Sequence, residues 1–130
     1  MRELLFRGYD GMDWVYGMTL TYERETDTYF MMQDDEEWVM VCNVGQYTGL
    51  MDDKGERIFE GDIVKVIDGK RENISEVYMH PYGVYINAHP FVKELTGREI
   101  EHLYNYCDYG DGRGISQRCV IVGDKFEKHI

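Results

Sequence analysis

Apolar and polar residues alternate along much of this chain with the two-residue period that is typical of half-buried β-strands. The clearest alternation covers residues 13–22, where five large apolar side chains would share one face of a strand. Other β-rich runs, bounded by polar or Gly-containing turns, lie at residues 3–7, 29–33, 38–44, 63–67, 74–79, 83–88 and 118–122. The pattern predicts short antiparallel strands that begin with an N-terminal meander.

Residues 44–64 (VGQYTGLMDDKGERIFEGDIV) contain the strongest turn signals. Residues 52–55 suit a hairpin loop because Asp favours the first positions of a turn and Gly readily adopts the left-handed conformation. Residues 58–59 would begin the return strand, and residues 60–62 predict another bend before a β-branched run. The segment contains no nucleophile–base pair, phosphate-binding loop or metal-ligand spacing, so it predicts architecture and no chemistry.

One short helix is predicted near residues 97–107. Thr96 and Glu99 match a capping box, in which the Thr side chain accepts from a first-turn N–H and the Glu side chain reaches back. An apolar stripe with helical spacing follows, and it consists of Ile100, Leu103, Tyr104 and Cys107.

These elements predict a mainly β fold with one short helix, in the β or α+β class. The length of 130 residues fits a single compact domain over residues 1–130. Within it, we expect an antiparallel meander over residues 1–62 and a small roll or barrel over residues 63–130, because many short strands surround tight turns.

The net charge of −11 is concentrated in the first part of the chain. Residues 1–62 carry 15 acids and 5 bases, whereas residues 63–130 carry 10 acids and 9 bases. Direct binding to nucleic acid is disfavoured, since it requires Lys and Arg to neutralise phosphates. The candidate partner-binding surface consists of Asp34, Asp35, Glu36, Glu37, Asp52, Asp53, Glu56, Glu60 and Asp62. These acids either solubilise the protein, meet a basic partner, or imitate a nucleic-acid backbone.

Candidate catalytic and metal-binding chemistry is sparse. The three cysteines, Cys42, Cys107 and Cys119, form no Cys-x-x-Cys pair, and we expect them to be reduced thiols packed in apolar surroundings. The four histidines are scattered, and no spacing indicates a zinc site. We therefore expect neither enzymatic activity nor a cofactor. The chain has no run of about 18 apolar residues and no signal-peptide core, which predicts a protein inside the cell with no membrane contact.

Three segments of the chain resemble the YopX-like proteins of phages and prophages. Residues 2–10 are similar to the family's Arg-Glu-x-x-Phe-Arg-x-aromatic-Asp stretch. Residues 45–64 contain Gly-Gln-Tyr-Thr-Gly-Leu, a Lys-Gly turn and Glu-Gly-Asp-Ile-Val, the family's most recognisable piece. Residues 120–127 look like its C-terminal strand and turn, with an additional Val122 before the glycine. The resemblance implies a small SH3-like β-roll within residues 63–126 and a phage or prophage origin, and it offers no catalytic residues to carry over to this chain.

The sequence therefore favours a phage or prophage accessory protein in the cytoplasm of a bacterial host. The leading hypothesis is a non-enzymatic module that binds a host or phage protein. One alternative is an acidic nucleic-acid mimic that inhibits a host protein which binds DNA or RNA. Another is a self-associating structural module, because exposed edge strands and tyrosines make homo-oligomers plausible.

Overall fold

The computed structural model describes residues 4–33, 36–81, 83–107 and 117–126, and antiparallel strands dominate them. The strands are β1 (Phe6–Tyr9), β2 (Trp14–Gly17), β3 (Thr19–Glu23), β4 (Thr28–Met32), β5 (Trp38–Met51), β6 (Arg57–Phe59), β7 (Asp62–Asp68), β8 (Arg71–Glu76), β9 (Tyr78–His80), β10 (Gly83–Asn87), β11 (Ile100–His102) and β12 (Gln117–Asp124). Helix α1 covers Pro90–Thr96, and a 3-10 helix covers Leu103–Tyr106. The predicted mainly β fold with one short helix is confirmed.

The contacts divide the chain into two compact units, residues 1–47 and residues 48–130. The sequence placed the boundary between its sub-regions at residue 62, after the hairpin. The structure includes that hairpin in the second unit because Leu50 and Ile58, one from each hairpin strand, are buried in the same hydrophobic core as Val64. The prediction of a single domain over residues 1–130 stays a prediction.

The first unit is an antiparallel sheet with the strand order β2-β1-β5-β4-β3. The predicted single strand over residues 13–22 is wrong, because the chain breaks at Met18 into β2 and β3, which pair with different neighbours. These two strands lie at opposite edges of the sheet although one residue joins them, so the sheet curls on itself. A Cβ atom on Gly17 would lie 2.7 Å from the carbonyl oxygen of Met32, which shows how closely the edges approach.

The second unit contains two three-stranded sheets, ordered β12-β7-β8 and β11-β10-β9. The register between β7 and β12 shifts between Ile121 and Gly123, so Val122 is the extra residue of a β-bulge. The core of this unit is formed by Leu50, Ile58, Val64, Val66, Val77, Val84, Ile86, Leu103, Tyr106, Cys107 and Cys119. No closed barrel is formed by the strands in the described ranges, so the SH3-like barrel is not confirmed.

The helix lies before the predicted position of 97–107. Pro90 occupies the first turn, and the His89 side chain caps the helix by accepting a hydrogen bond from the Phe91 N–H at 3.0 Å. Gly97 ends the helix in the left-handed conformation, with φ of 74°. Thr96 is therefore the last helical residue and not the N-cap. Its hydroxyl donates to the Val92 carbonyl at 2.7 Å.

The apolar stripe that predicted the helix packs in another way. Ile100 lies in β11, and the 3-10 helix follows it directly. Leu103 and Tyr106 of the 3-10 helix are buried in the core, whereas Tyr104 is exposed. The short period of a 3-10 turn reproduces part of the spacing of an α-helix, which explains the error. No helix in the described part of the chain is long and apolar enough to cross a bilayer.

Candidate functional site

Two of the predicted acidic residues of the first unit, Glu36 and Glu37, lie in the turn before β5. Asp34 and Asp35 are outside the described residues. Glu36 and Glu37 are exposed and directly precede Trp38. Glu36 has φ of 64°, which is the left-handed conformation of a tight turn. Two carboxylates therefore border the beginning of β5.

The predicted acidic residues of the second unit divide into exposed and buried groups. Asp53 and Glu56 are exposed in the loop between β5 and β6, and Glu60 is half-buried in the next turn. Asp52 and Asp62 are buried, with 7% and 2% of their surface exposed. The placement of Asp52 and Asp62 on an acidic surface is therefore corrected.

Asp52 is buried because its carboxylate organises the backbone around it. Oδ1 accepts hydrogen bonds from the N–H groups of Lys54 at 2.9 Å and Glu56 at 3.0 Å, which closes the hairpin loop. Oδ2 accepts from the Ile121 N–H of β12 at 3.1 Å. These three backbone donors satisfy the carboxylate oxygens, as a buried polar group requires. The predicted hairpin at residues 52–55 is confirmed, and Asp52 holds it against a distant strand.

Asp62 has a comparable structural role in the following bend. Its Oδ2 accepts from the Phe59 N–H at 2.8 Å, and its carbonyl oxygen accepts from the Val77 N–H at 2.8 Å. Gly61 before it has φ of 92°, and a Cβ atom there would lie 3.2 Å from the ring of Phe126. The predicted bend at residues 60–62 is thus confirmed as a tightly packed turn.

The outer face of the first sheet carries an apolar surface, which we call the outer patch and define as Phe30, Met32, Trp38 and Met40; Phe30 and Met32 are half-buried in it. Phe30 lies opposite Met40 and Met32 lies opposite Trp38 across β4 and β5, so all four side chains share one face. Trp38 is 47% exposed and Met40 is 61% exposed. The opposite face contains the buried Met31 and Val41, which form the interior of this unit.

Aromatic residues of β1 and β2 extend this face. Tyr9 pairs with Cys42, which lies two residues beyond Met40 and so on the same side of β5. The Tyr9 and Trp14 rings meet edge to face at 5.6 Å, and the Arg7 guanidinium lies 4.4 Å from the centre of the Trp14 ring. The alternation at residues 13–22 predicted Trp14 and Leu20 on one face, but the structure pairs Trp14 with Tyr9 on the outer side and Leu20 with the buried Met31 on the inner side.

A surface depression of about 360 Å³ that is open to solvent lies in the second unit beside α1 and β11, and we call it the α1–β11 cavity. Tyr85, Val92 and Ile100 give it apolar walls, whereas Arg98, Glu101 and other polar side chains line the rest. Tyr85 also belongs to a row of four neighbouring rings with centroid separations of 4.7 to 5.4 Å, formed by His80, Tyr85, His102 and Tyr104. The sequence did not predict this cavity, because its residues come from separate elements.

Some polar groups of the cavity are already satisfied within the protein. Glu99 pairs with Lys93 at 3.1 Å, and the Thr96 hydroxyl accepts from the Arg98 N–H at 3.2 Å. The Tyr106 hydroxyl donates to both oxygens of Glu101, at 3.1 and 3.2 Å. Burial, together with the charge of Glu101, raises the pKa of Tyr106, so its hydroxyl stays protonated and Glu101 acts as the acceptor.

The cysteines differ in exposure. Cys107 and Cys119 are buried in the core of the second unit, as expected, whereas Cys42 is exposed on β5, contrary to the expectation. The neighbouring Cys107 thiol, together with burial, raises the pKa of Cys119 and makes it a poor nucleophile. No group of three or more potential metal ligands is gathered among the described residues.

The two units define a small protein built mainly from antiparallel strands, with an exposed apolar sheet face on one unit and a ligand-sized cavity in the other. The family model described as YopX protein matches residues 5–114, so the chain belongs to the YopX family. The resemblance stated from the sequence is thereby confirmed. Searches of the curated proteins and of the solved structures found no match.

Proposed function

We propose that this chain is a non-enzymatic accessory protein of a phage or prophage that binds another protein through the outer patch, within the cytoplasm of a bacterial host. The observation that carries the proposal is the exposure of Trp38 and Met40 on a continuous apolar face. Large exposed apolar patches commonly mark sites of protein interaction, and Trp and Met are enriched at interfaces. Membership of the YopX family supports the proposed lineage.

The charge around the outer patch favours a particular partner chemistry. Glu36 and Glu37 border the patch, and the whole chain carries a net charge of −11. A partner with an apolar pocket and a basic rim would bury Trp38 and neutralise these acids. A second copy of this chain would bring like charges together, so a different protein is the better occupant.

The acidic-mimic hypothesis has less support from the described residues. Asp52 and Asp62 are buried, so only Asp53, Glu56 and Glu60 of the predicted acidic residues in the second unit reach the surface. A mimic needs a dense array of exposed negative charges to replace a phosphate backbone. The outer patch therefore supports protein binding better than the acids support mimicry.

A double variant, Trp38→Thr with Met40→Thr, tests the proposal while preserving strand propensity. Wild-type protein would capture a partner from host extracts at moderate salt, and the purified partner would rebind it in a calorimeter. We expect the double variant to lose about 2 kcal/mol or more of binding free energy, as for central interface residues. Ile74→Thr is the matched control, because Ile74 is 63% exposed on β8 of the second unit.

Equal binding by the double variant and the wild type would contradict the proposal. Light scattering provides a separate check for self-association. A dimer that the double variant abolishes would assign the outer patch to a second copy of this chain. Turnover of a phosphoester, peptide or nucleotide substrate, abolished by one Cys or His substitution, would contradict the non-enzymatic assignment.

A further inference from the structure

We propose that the α1–β11 cavity binds a small aromatic zwitterion, the chemical class that includes the free aromatic amino acids. This binding site is separate from the outer patch, and the inference does not depend on the proposed protein binding. It rests on the size of the cavity, its apolar walls, and the two opposite charges that remain available to a ligand.

The size and walls of the cavity suit one ring-bearing molecule. A volume of about 360 Å³ is at the lower end of the range of small-molecule sites, so the ligand is small. The Tyr85 ring, Val92 and Ile100 offer apolar surface for a planar group. His102 also lines the cavity, with its ring 4.7 Å from that of Tyr85. An aromatic ligand ring would extend this row of rings by stacking or edge contact.

The charges that remain after the internal contacts are one cation and one anion. Within the described part of the chain, the Arg98 guanidinium has no hydrogen bond or ion pair, so its donors are available to a ligand carboxylate. The Glu101 carboxylate accepts from the Tyr106 hydroxyl, but its two oxygens have about four acceptor positions in total. Glu101 can therefore also accept from a ligand ammonium group.

A zwitterion is the ligand class that satisfies both charges. A simple organic anion would pair with Arg98 but would be repelled by Glu101. A simple cation would pair with Glu101 but would be repelled by Arg98. The second anionic residue of the wall, Glu99, pairs with Lys93 at 3.1 Å. A molecule with one carboxylate, one ammonium group and one ring therefore complements the cavity.

The experiment uses L-tryptophan and three probes that each lack one of its features. Indole-3-propionate lacks the ammonium group, tryptamine lacks the carboxylate, and L-alanine lacks the ring. Titration into the isotope-labelled full chain, followed by amide NMR, should shift the signals of cavity residues with L-tryptophan. Each truncated probe should bind at least about tenfold more weakly, the effect of losing one charge-assisted contact or the ring contact.

Two variants test which charged group of the ligand contacts Arg98 and which contacts Glu101. Arg98→Gln should weaken L-tryptophan binding about tenfold while leaving tryptamine unaffected. Glu101→Gln keeps an acceptor for Tyr106, and it should weaken L-tryptophan about tenfold while leaving indole-3-propionate no weaker. Arg24→Gln is the matched control, because Arg24 is exposed in the turn between β3 and β4 of the first unit.

Several results would overturn the inference. These are the absence of shifts at about 5 mM L-tryptophan, equal binding of L-alanine or indole-3-propionate, and unchanged binding after Arg98→Gln. The dispersion of the amide spectrum reports whether each variant is folded. If Arg98→Gln failed to fold, binding of L-tryptophan by Glu101→Gln and binding of the three truncated probes by the wild type would test whether the cavity binds an aromatic zwitterion.

Discussion

The buried carboxylate of Asp52 gives the most direct test of how this chain holds its second unit together. In Asp52→Ala the side chain no longer accepts from Lys54 and Glu56 in the loop, nor from Ile121 in β12. The substitution therefore removes a local loop closure and a bond that spans 69 residues of sequence. A side chain that joins distant segments should affect the stability of the unit more than a loop residue that contacts only its neighbours.

The three hydrogen bonds do not contribute equally. Lys54 and Glu56 are exposed, so water can partly replace the hydrogen bonds that their N–H groups lose when the Asp52 carboxylate is removed. Ile121 lies on the edge strand β12 but packs against the core, so loss of its acceptor leaves a poorly hydrated N–H donor. At about 0.5 to 1 kcal/mol for each loop bond and about 1.5 kcal/mol for the strand bond, Asp52→Ala should lower the free energy of unfolding by about 3 kcal/mol.

The assay must report on the second unit. Both tryptophans, Trp14 and Trp38, lie in the first unit, so their fluorescence is unsuitable as the probe. Urea unfolding followed by the amide NMR signals of β7 and β12 would measure the relevant transition, and it does not assume that the two units unfold together. Asp53→Ala is the control, because Asp53 is exposed, and it should change the free energy of unfolding by no more than about 0.5 kcal/mol.

Two results would refute this reasoning about Asp52. One is an Asp52→Ala variant within about 1 kcal/mol of the wild type, which would show that the buried hydrogen bonds contribute little. The other is an equal loss in Asp53→Ala, which would show that the loop tolerates no substitution and that Asp52 has no special role.

Three further predictions concern the second unit and the exposed thiol. Gly61→Ala should lower the free energy of unfolding by about 1 to 2 kcal/mol in urea titrations, since it imposes a positive φ on alanine beside an aromatic ring. Stability should fall as pH rises above about 10, the ordinary pKa of tyrosine, because the unfolded chain ionises there while Tyr106 stays protonated in the folded protein. Tyr106→Phe should flatten that alkaline slope in pH-dependent unfolding. Under native conditions a thiol reagent should modify Cys42 rapidly while Cys107 and Cys119 react only after unfolding, and rapid modification of all three would contradict the described core.

The features that sequence predicted well are those that depend on neighbouring residues. A two-residue apolar period requires side chains on alternating faces, and this identified most strands. Asp and Gly in a short turn act on their own backbone, so residues 52–55 and 60–62 were predicted as turns and observed as turns. The helix was misplaced because Thr96 fits both a helix start and a helix end, and only the contacts of His89 and Gly97 distinguish the two.

The features that only the tertiary structure decided depend on contacts between distant residues. Alternation places Trp38 and Met40 on one face of a strand, but the curl of the sheet decides that this face meets solvent. Composition marks Asp52 as a charged residue, whereas its bond to Ile121 explains why it is buried. The α1–β11 cavity exists because a helix, two strands and a 3-10 helix meet there. The sequence by itself determined strands, turns and family, because these follow from local backbone preferences and shared motifs. Burial and the pairing of charges were decided by the fold, because they depend on which distant surfaces exclude water.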